Sequence, residues 1–328
     1  MKQVIGYAPA TVGNVACGFD VLGFALTHPG DKVTLSYSET NNDSYTIEIN
    51  SIKGDNGILP TDVKKNTAGI TLIKFIDHLL EQKKIEPNFH LSIDLEKNLP
   101  LSSGMGSSAS SAAAALIAAN HLFGELLTKK ALVEYVMEGE YMACGSYHAD
   151  NAAPAILGNF VLIRSYTPLD LIEIPAPKNL YATLINPQIE IKTAVARSIL
   201  KDTVPMKDAI RQWGNVGALV NGLLTEDMAI IGRALEDFVA EPYRAPLIPY
   251  FYDVKNAAME AGALGGSIAG SGPSLFTFSD NEKTAKEVGL AMQQVFSSKA
   301  GLSSKVWVSQ ISSVGAEVIE AMQVARVS

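Results

Sequence analysis

Residues Pro100–Ala109 read Pro-Leu-Ser-Ser-Gly-Met-Gly-Ser-Ser-Ala, and no other stretch constrains the fold as tightly. Upstream, Phe89, Leu91, Ile93 and Leu95 alternate with polar residues, which predicts a half-buried strand over Phe89–Leu95. Downstream, Ser107–Phe123 is a helix of mostly small residues, in which Ala109, Ala112 and Ala113 permit close packing. Gly104 and Gly106 let the connecting backbone adopt positive φ and approach a ligand closely. The first N–H groups of the helix lack intrahelical partners and lie at the positive end of its dipole. Ser102, Ser103, Ser107 and Ser108 add hydroxyl donors, so the segment is an anion site suited to a polyphosphate; its bland reading is a flexible, serine-capped loop.

Other nucleotide motifs fit poorly. No lysine follows Gly106, as a Walker loop requires, and the protein-kinase signatures are absent. Gly104–Ala109 formally matches the dinucleotide pattern G-x-G-x-x-A. That pattern needs an acidic residue ending a second strand, and Glu125 at the right separation falls between two helices.

A chain of 328 residues exceeds what one core usually organises, so two domains are expected, 1–168 and 169–328, with the proline-bearing segment Ser165–Lys178 as junction. The apolar stretches, such as Ala112–Ala119, fall short of the ~20 residues that span a bilayer. Met1–Ala10 lacks the pattern of a secretory signal, and Cys17 and Cys144 are too few for a disulfide framework, so a cytoplasmic location with free thiols is expected. The net charge of −8 and the lack of a basic cluster argue against nucleic-acid partners.

Short strands are expected at Val4–Ala8, Asp31–Tyr37, Tyr45–Ile49, Gly158–Arg164, Tyr181–Ile185, Leu264–Ala269, Ser274–Phe278 and Lys305–Ser309. Helices are expected at Thr67–Gln82, Thr128–Cys144, Lys192–Leu200, Pro205–Leu224, Asp227–Phe238, Tyr250–Ala261 and Asn281–Phe296. Strands and helices mix without regular alternation, which predicts an α+β fold rather than a doubly wound sheet.

Three segments in order carry a resemblance. Pro100–Ala109 is similar to the phosphate loop of the GHMP kinases, which act on galactose, homoserine, mevalonate and phosphomevalonate. Ala8–Asp20 (Ala-Pro-Ala-Thr-Val-Gly-Asn-Val-Ala-Cys-Gly-Phe-Asp) resembles their amino-terminal motif, and Ile268–Phe276 (Ile-Ala-Gly-Ser-Gly-Pro-Ser-Leu-Phe) their carboxy-terminal glycine motif. Met105 for the usual leucine, Thr11-Val12-Gly13 for a serine-rich run, and Ala16-Cys17 depart from the pattern. Val21-Leu22-Gly23, His148–Pro154 (His-Ala-Asp-Asn-Ala-Ala-Pro), Thr193–Arg197 and Tyr243-Arg244 look most like the homoserine-phosphorylating members.

The resemblance implies a ribosomal S5 domain 2-like amino-terminal domain and a ferredoxin-like carboxy-terminal domain, with ATP and substrate meeting between them. It implies phosphorylation of L-homoserine to O-phospho-L-homoserine, on the way to threonine, by a homodimer. Residues Pro100, Leu101, Ser102, Ser103, Gly104, Met105, Gly106, Ser107, Ser108 and Ala109 would hold ATP, with Asn66 at adenine or ribose. Ser108 and Glu140 would hold Mg²⁺; Glu134 and Glu138 read as a charged helix face. Arg197 and Arg244 are candidates for the substrate carboxylate, because a guanidinium binds carboxylates as a bidentate fork. Asp20 and Asp150 would take the ammonium and hydroxyl end, in an order the sequence leaves open, assisted by Asn14, His148 and Asn151. Thr193 would donate to the γ-phosphate, while Gly270 and Gly272 would close around the substrate, the bland reading being a tight turn. Asp150 is the first choice for a general base, and direct attack by the hydroxyl remains the alternative. Another GHMP activity and a catalytically silent binding protein are the rival functions.

Overall fold

The computed structural model describes residues 2–145 and 147–323, apart from the side chains of residues 143, 144 and 323. The Cys144 thiol therefore lies outside the described residues, whereas Cys17 is free and buried. The chain begins with β1 (Lys2–Val12), β2 (Leu22–Glu39), β3 (Thr46–Lys53), α1 (Thr67–Glu81), β4 (Phe89–Glu96), α2 (Ser107–Leu122), α3 (Lys129–Cys144) and α4 (Ala149–Leu157). It continues through β5 (Phe160–Tyr166), β6 (Leu169–Ile174), β7 (Tyr181–Pro187), α5 (Thr193–Ser198), α6 (Met206–Thr225), α7 (Met228–Ala234) and α8 (Glu241–Arg244). A short 3₁₀ turn leads into α9 (Phe251–Glu260), β8 (Gly265–Ile268), β9 (Leu275–Ser279), α10 (Glu282–Lys299), β10 (Ser304–Gln310) and β11 (Glu317–Gln323).

The first sheet has seven strands in the order β11-β1-β2-β4-β3, with β5 joined to β2 and β6 to β5. All its pairings are antiparallel except β3 with β4. The helix α2 lies against β1 and β2, flanked by α1, α3 and α4. Every residue from Ala109 to Asn120 is buried, so the helix has no solvent face and needs small side chains all round. At Gly6 a Cβ would strike the Ala114 carbonyl, and Ser110 Oγ donates to the Ala8 carbonyl at 2.7 Å, so helix and strand touch at backbone distance.

The second sheet is antiparallel, in the order β10-β7-β9-β8, with α9 and α10 packed against it. Its β-α-β-β-α-β succession is the ferredoxin-like arrangement. Phe24 and Phe160 from the first sheet meet Phe276 and Phe278 from the second, with ring centroids 5.2–5.9 Å apart. These rings give the two sheets one shared core.

Two expectations change. The segment expected as a junction carries β6, whose apolar Leu169, Leu171 and Ile174 extend the first sheet past residue 168. The sheet also recovers β11 from the end of the chain, so its strands are not contiguous in sequence. The helix expected to reach Phe238 stops at Ala234. Beyond it, the Asp237 carboxylate accepts from the N–H groups of Val239, Ala240 and Glu241, a local turn that competes with helix.

Candidate active site

The three motifs meet between the sheets. The phosphate loop bends through Ser102 (φ 52°), Gly104 (φ 79°) and Gly106 (φ 63°) before entering α2. A Cβ at Gly106 would collide with Thr11 Oγ1, and one at Gly104 with the Ala269 carbonyl. Thr11 N donates to the Met105 carbonyl at 3.1 Å, Ser274 N to the Ser103 carbonyl at 3.3 Å, and Gly270 N to the Gly13 carbonyl at 3.0 Å. Glycine is thus required where the amino-terminal and carboxy-terminal motifs clamp the loop from two sides. Within the loop, Ser103 Oγ donates to the Pro100 carbonyl at 2.8 Å and accepts from Met105 N, so this serine shapes the turn from a buried position. Ser107 Oγ reaches the Leu99 carbonyl at 3.4 Å, whereas Ser102 and Ser108 are exposed. Leu101 is half-buried; Met105 and Ala109 are core residues.

Beneath the loop lies a buried ion pair that the sequence reading missed. Lys97 Nζ contacts Asp31 Oδ2 and donates at 2.7 Å to both the Ser107 carbonyl and Ser111 Oγ. The other Asp31 oxygen accepts from the N–H groups of Asn98 and Leu99. Burial pulls the Lys97 ammonium below its usual range, and Asp31 opposes that shift. The only signal was a lysine three residues before Pro100; its partner is far away in the chain.

Asp150, in the first turn of α4, is buried. Its Oδ2 accepts from Asn14 N at 2.9 Å, and its Oδ1 has no hydrogen-bond partner. Burial pushes its carboxyl up to about 6; the nearby His148 charge lowers it and that of Asp20 raises it. Asn151 Oδ1 accepts from Thr11 Oγ1 at 2.9 Å, which ties α4 to β1 beside the phosphate loop. At the end of α3, Glu140 is buried with one carboxylate oxygen 3.8 Å from His148 Nδ1.

Asn14 and Asp20 both sit at positive φ, which folds the Gly13–Asp20 loop back on itself. Asn14 Oδ1 accepts from Asp20 N at 2.8 Å, and its Nδ2 donates to the Gly270 carbonyl at 3.1 Å. Arg197 Nη1 bridges both Asp20 carboxylate oxygens at 2.8 and 2.6 Å. The Arg244 guanidinium is buried; it donates to the carbonyls of Ala196 and Gly270, both at 3.0 Å. Among the described residues no carboxylate lies within ion-pair distance of it. Phe19 stands near both guanidinium groups, 5.5 and 5.1 Å from its ring centre, and Tyr166 Oη donates to the Asp20 carbonyl at 2.9 Å. No role was expected for Phe19, although it lies within the amino-terminal motif, or for Tyr166, a lone aromatic outside every motif. Thr193 Oγ1 comes within 3.3 Å of Ser271 Oγ, between Gly270 (φ 55°) and Gly272 (φ 81°).

Asn66, expected at adenine or ribose, also has a structural part: its Oδ1 caps α1 by accepting from Ala68 N, and its Nδ2 donates to the Pro60 carbonyl. An asparagine immediately before a helix is a preferred N-cap, and one N–H of its amide is left over for a further partner.

Residues 71–159 match the family described as GHMP kinases N terminal domain, and residues 217–298 match GHMP kinases C terminal. The chain is 62% identical to homoserine kinase of Chloroherpeton thalassium over 97% of its own length and all of that protein. It is 60% identical to homoserine kinase of Chlorobaculum tepidum, with 97% and 99% covered. The crystal structure of homoserine kinase from Cytophaga hutchinsonii superposes with a TM-score of 0.90 at 48% identity, covering 97% of each chain. Mevalonate kinase of L. major, at 16% identity and a TM-score of 0.68 over 94% and 96% of the two chains, shares the fold.

Proposed function

The chain belongs to the GHMP kinases, among their homoserine kinases, and from that premise we propose how its cleft carries out the reaction. The enzyme transfers the γ-phosphate of ATP to the hydroxyl of L-homoserine, giving O-phospho-L-homoserine in threonine biosynthesis. We place the reaction in the cytoplasm; no helix among the described residues is long and apolar enough to cross a membrane.

In our reading, the N–H groups that open α2, with Ser102, Ser107 and Ser108, receive the ATP phosphates. The Lys97–Asp31 pair holds the carbonyl of Ser107, the first residue of α2, so those N–H groups are aimed before ATP arrives. Ser108 and Glu140 supply a hydroxyl and a carboxylate, the hard oxygen donors that Mg²⁺ takes while keeping waters and phosphate oxygens. Such a sparse donor set fits the lack of any three-residue metal cluster among the described residues. When bound, Mg²⁺ offsets phosphate charge.

The observation that carries the substrate assignment is the arginine pair: Arg197 held on Asp20 beside the buried Arg244, which lacks a carboxylate. The head group of an α-amino acid brings one carboxylate and one ammonium. Its carboxylate can take Arg244 and Arg197, while its ammonium replaces Arg197 on Asp20, so every charge keeps a partner. Asn14, His148 and Asn151 would assist the substrate between this pair and the phosphate loop, with Thr193, whose Oγ1 is 3.3 Å from Ser271 Oγ, donating to the γ-phosphate. The hydroxyl end then reaches Asp150, whose unpartnered Oδ1 accepts the hydroxyl hydrogen and aligns the oxygen for in-line attack. Whether the proton passes to Asp150 before or after bond formation does not alter the arrangement.

Arg244→Lys and Arg197→Gln test this reading. Each should raise the KM for homoserine at least about tenfold, the worth of one charge-assisted contact, with the KM for ATP unchanged. Unchanged homoserine kinetics in both variants would remove the arginines from the substrate site.

A further inference from the structure

Gln212 stands where a helix normally buries an apolar side chain. Among the described residues 206–215, α6 buries Gln212 alone, at 6% exposure, so this end of the helix is fastened to the body by an amide. Its Nε2 donates to the Cys17 carbonyl at 2.8 Å and to Asp237 Oδ1 at 2.9 Å, and its Oε1 accepts from Phe238 N at 2.8 Å. Both N–H groups and the oxygen of the amide are thus engaged, on two segments far apart in the chain.

One segment is the Gly13–Asp20 loop. Asn14, Ala16 and Asp20 all lie in the left-handed region, at φ 57°, 45° and 59°. Residues with side chains keep that conformation only where the surroundings enforce it. Asn14 is held from one side, through its Nδ2 on the Gly270 carbonyl. Cys17, midway between Asn14 and Asp20, is held from the other by Gln212. The second segment is the turn at Asp237, whose carboxylate accepts from the N–H groups of Val239, Ala240 and Glu241. Ala240 is the N-cap of α8, and its carbonyl accepts from Arg244 N at 3.0 Å. The Asp237 turn therefore sets where Arg244 leaves the backbone.

The geometry points to Gln212 as a positioning residue for the amino-acid head group: it fixes the spacing between Asp20, which takes the ammonium, and Arg244, which takes the carboxylate. This role rests on the head-group assignment proposed above. An α-amino acid carries both charges on one carbon, so the two partners that receive them must keep a set separation. Asp20 pairs with Arg197, and Arg244 with two carbonyls, so the separation of Asp20 and Arg244 depends on the segments that carry them. Gln212 ties those segments together from within α6 and touches neither the substrate nor ATP.

Two variants test the role. Gln212→Met keeps the length of the side chain but has no N–H and no amide oxygen. Gln212→Glu keeps an acceptor for Phe238 N and offers at most one O–H, so it cannot serve both Cys17 and Asp237. Because it keeps the Phe238 bond, Gln212→Glu carries the test if Gln212→Met does not fold. Thr183→Val, which removes a buried hydrogen bond to the Ala285 carbonyl, is the control for lost stability alone. Steady-state kinetics of the full chain with Mg²⁺, ATP and L-homoserine are read beside thermal melting by circular dichroism. Both Gln212 variants should raise the KM for homoserine about tenfold, with kcat and the KM for ATP within about threefold of wild type. Thr183→Val should lower the melting temperature and leave all three constants unchanged. Wild-type homoserine kinetics in a folded Gln212 variant overturn the role, and so does an equal rise in both KM values, which would mark a general loosening. Arg244→Lys in the same assay separates this role from the assignment beneath it. If Arg244→Lys raises the KM for homoserine and the Gln212 variants do not, the positioning role falls and the head-group assignment stands. If Arg244→Lys changes nothing, the assignment falls and takes the role with it.

Discussion

At the scale of single residues, Asp150 carries opposed demands of stability and chemistry. Its carboxyl titrates near 6 because burial disfavours the charge. A folded-state value above the ordinary one means that stability is full at low pH and is lost as pH rises through about 6. At two units the loss is roughly 3 kcal/mol. Asp150→Asn should therefore melt several degrees higher than wild type at pH 8 and show no such gain at pH 4. The same variant should lose at least about 100-fold in kcat, and with it the acid limb of the pH–rate profile near pH 6. Equal melting shifts at both pH values would contradict the burial argument. Lys97 answers a different question. Lys97→Met leaves Asp31 charged in a dry site and should cost about 3–5 kcal/mol in urea unfolding. The double change Lys97→Met, Asp31→Leu should recover much of that stability while the KM for ATP stays raised, since the Ser107 carbonyl is no longer held. Asp150 was legible because it sits in the seven-residue pattern His148–Pro154. Lys97 was not, because its value depends on Asp31, which only the pairing of β2 with β4 brings near.

At the scale of elements, the phosphate loop needs its glycines for geometry rather than flexibility. Gly106→Ala places a methyl group against Thr11 Oγ1 at φ 63°. It should raise the KM for ATP at least about tenfold, while homoserine binding measured by calorimetry changes little. The strand, loop and alanine-rich helix were plain in the sequence because each has its own period and composition. The same holds for α1, α6 and α10, whose apolar spacing runs for several turns. The strands β6 and β11 and the short α4 were hidden for physical reasons. Leu169–Ile174 is flanked by prolines that read as a junction, and β11 is held by pairing with β1 rather than by a strong apolar pattern. Asn66 has an N-cap role that the sequence analysis did not draw from its place just before α1.

At the scale of the whole molecule, the site exists only because two sheets share one core. The phosphate loop leaves the first sheet, the glycine turn at Gly270–Gly272 leaves the second, and the Phe24, Phe160, Phe276 and Phe278 rings fix their separation. The irregular mixing of strands and helices predicts an α+β fold, but no spacing rule brings Arg197 and Arg244 to one pocket with Asp20. That juxtaposition comes from the crossing of chain between β7 and β8, which carries α5 and α8 over the Gly13–Asp20 loop. The central claim is that this pocket selects an amino-acid acceptor for ATP. It is tested most directly by Mg²⁺-dependent ADP formation with L-homoserine, mevalonate, galactose or no acceptor. Turnover with L-homoserine, and background rates with the other three, is the expected result. Comparable turnover with mevalonate or galactose, or none with L-homoserine while ATP still binds, would contradict it.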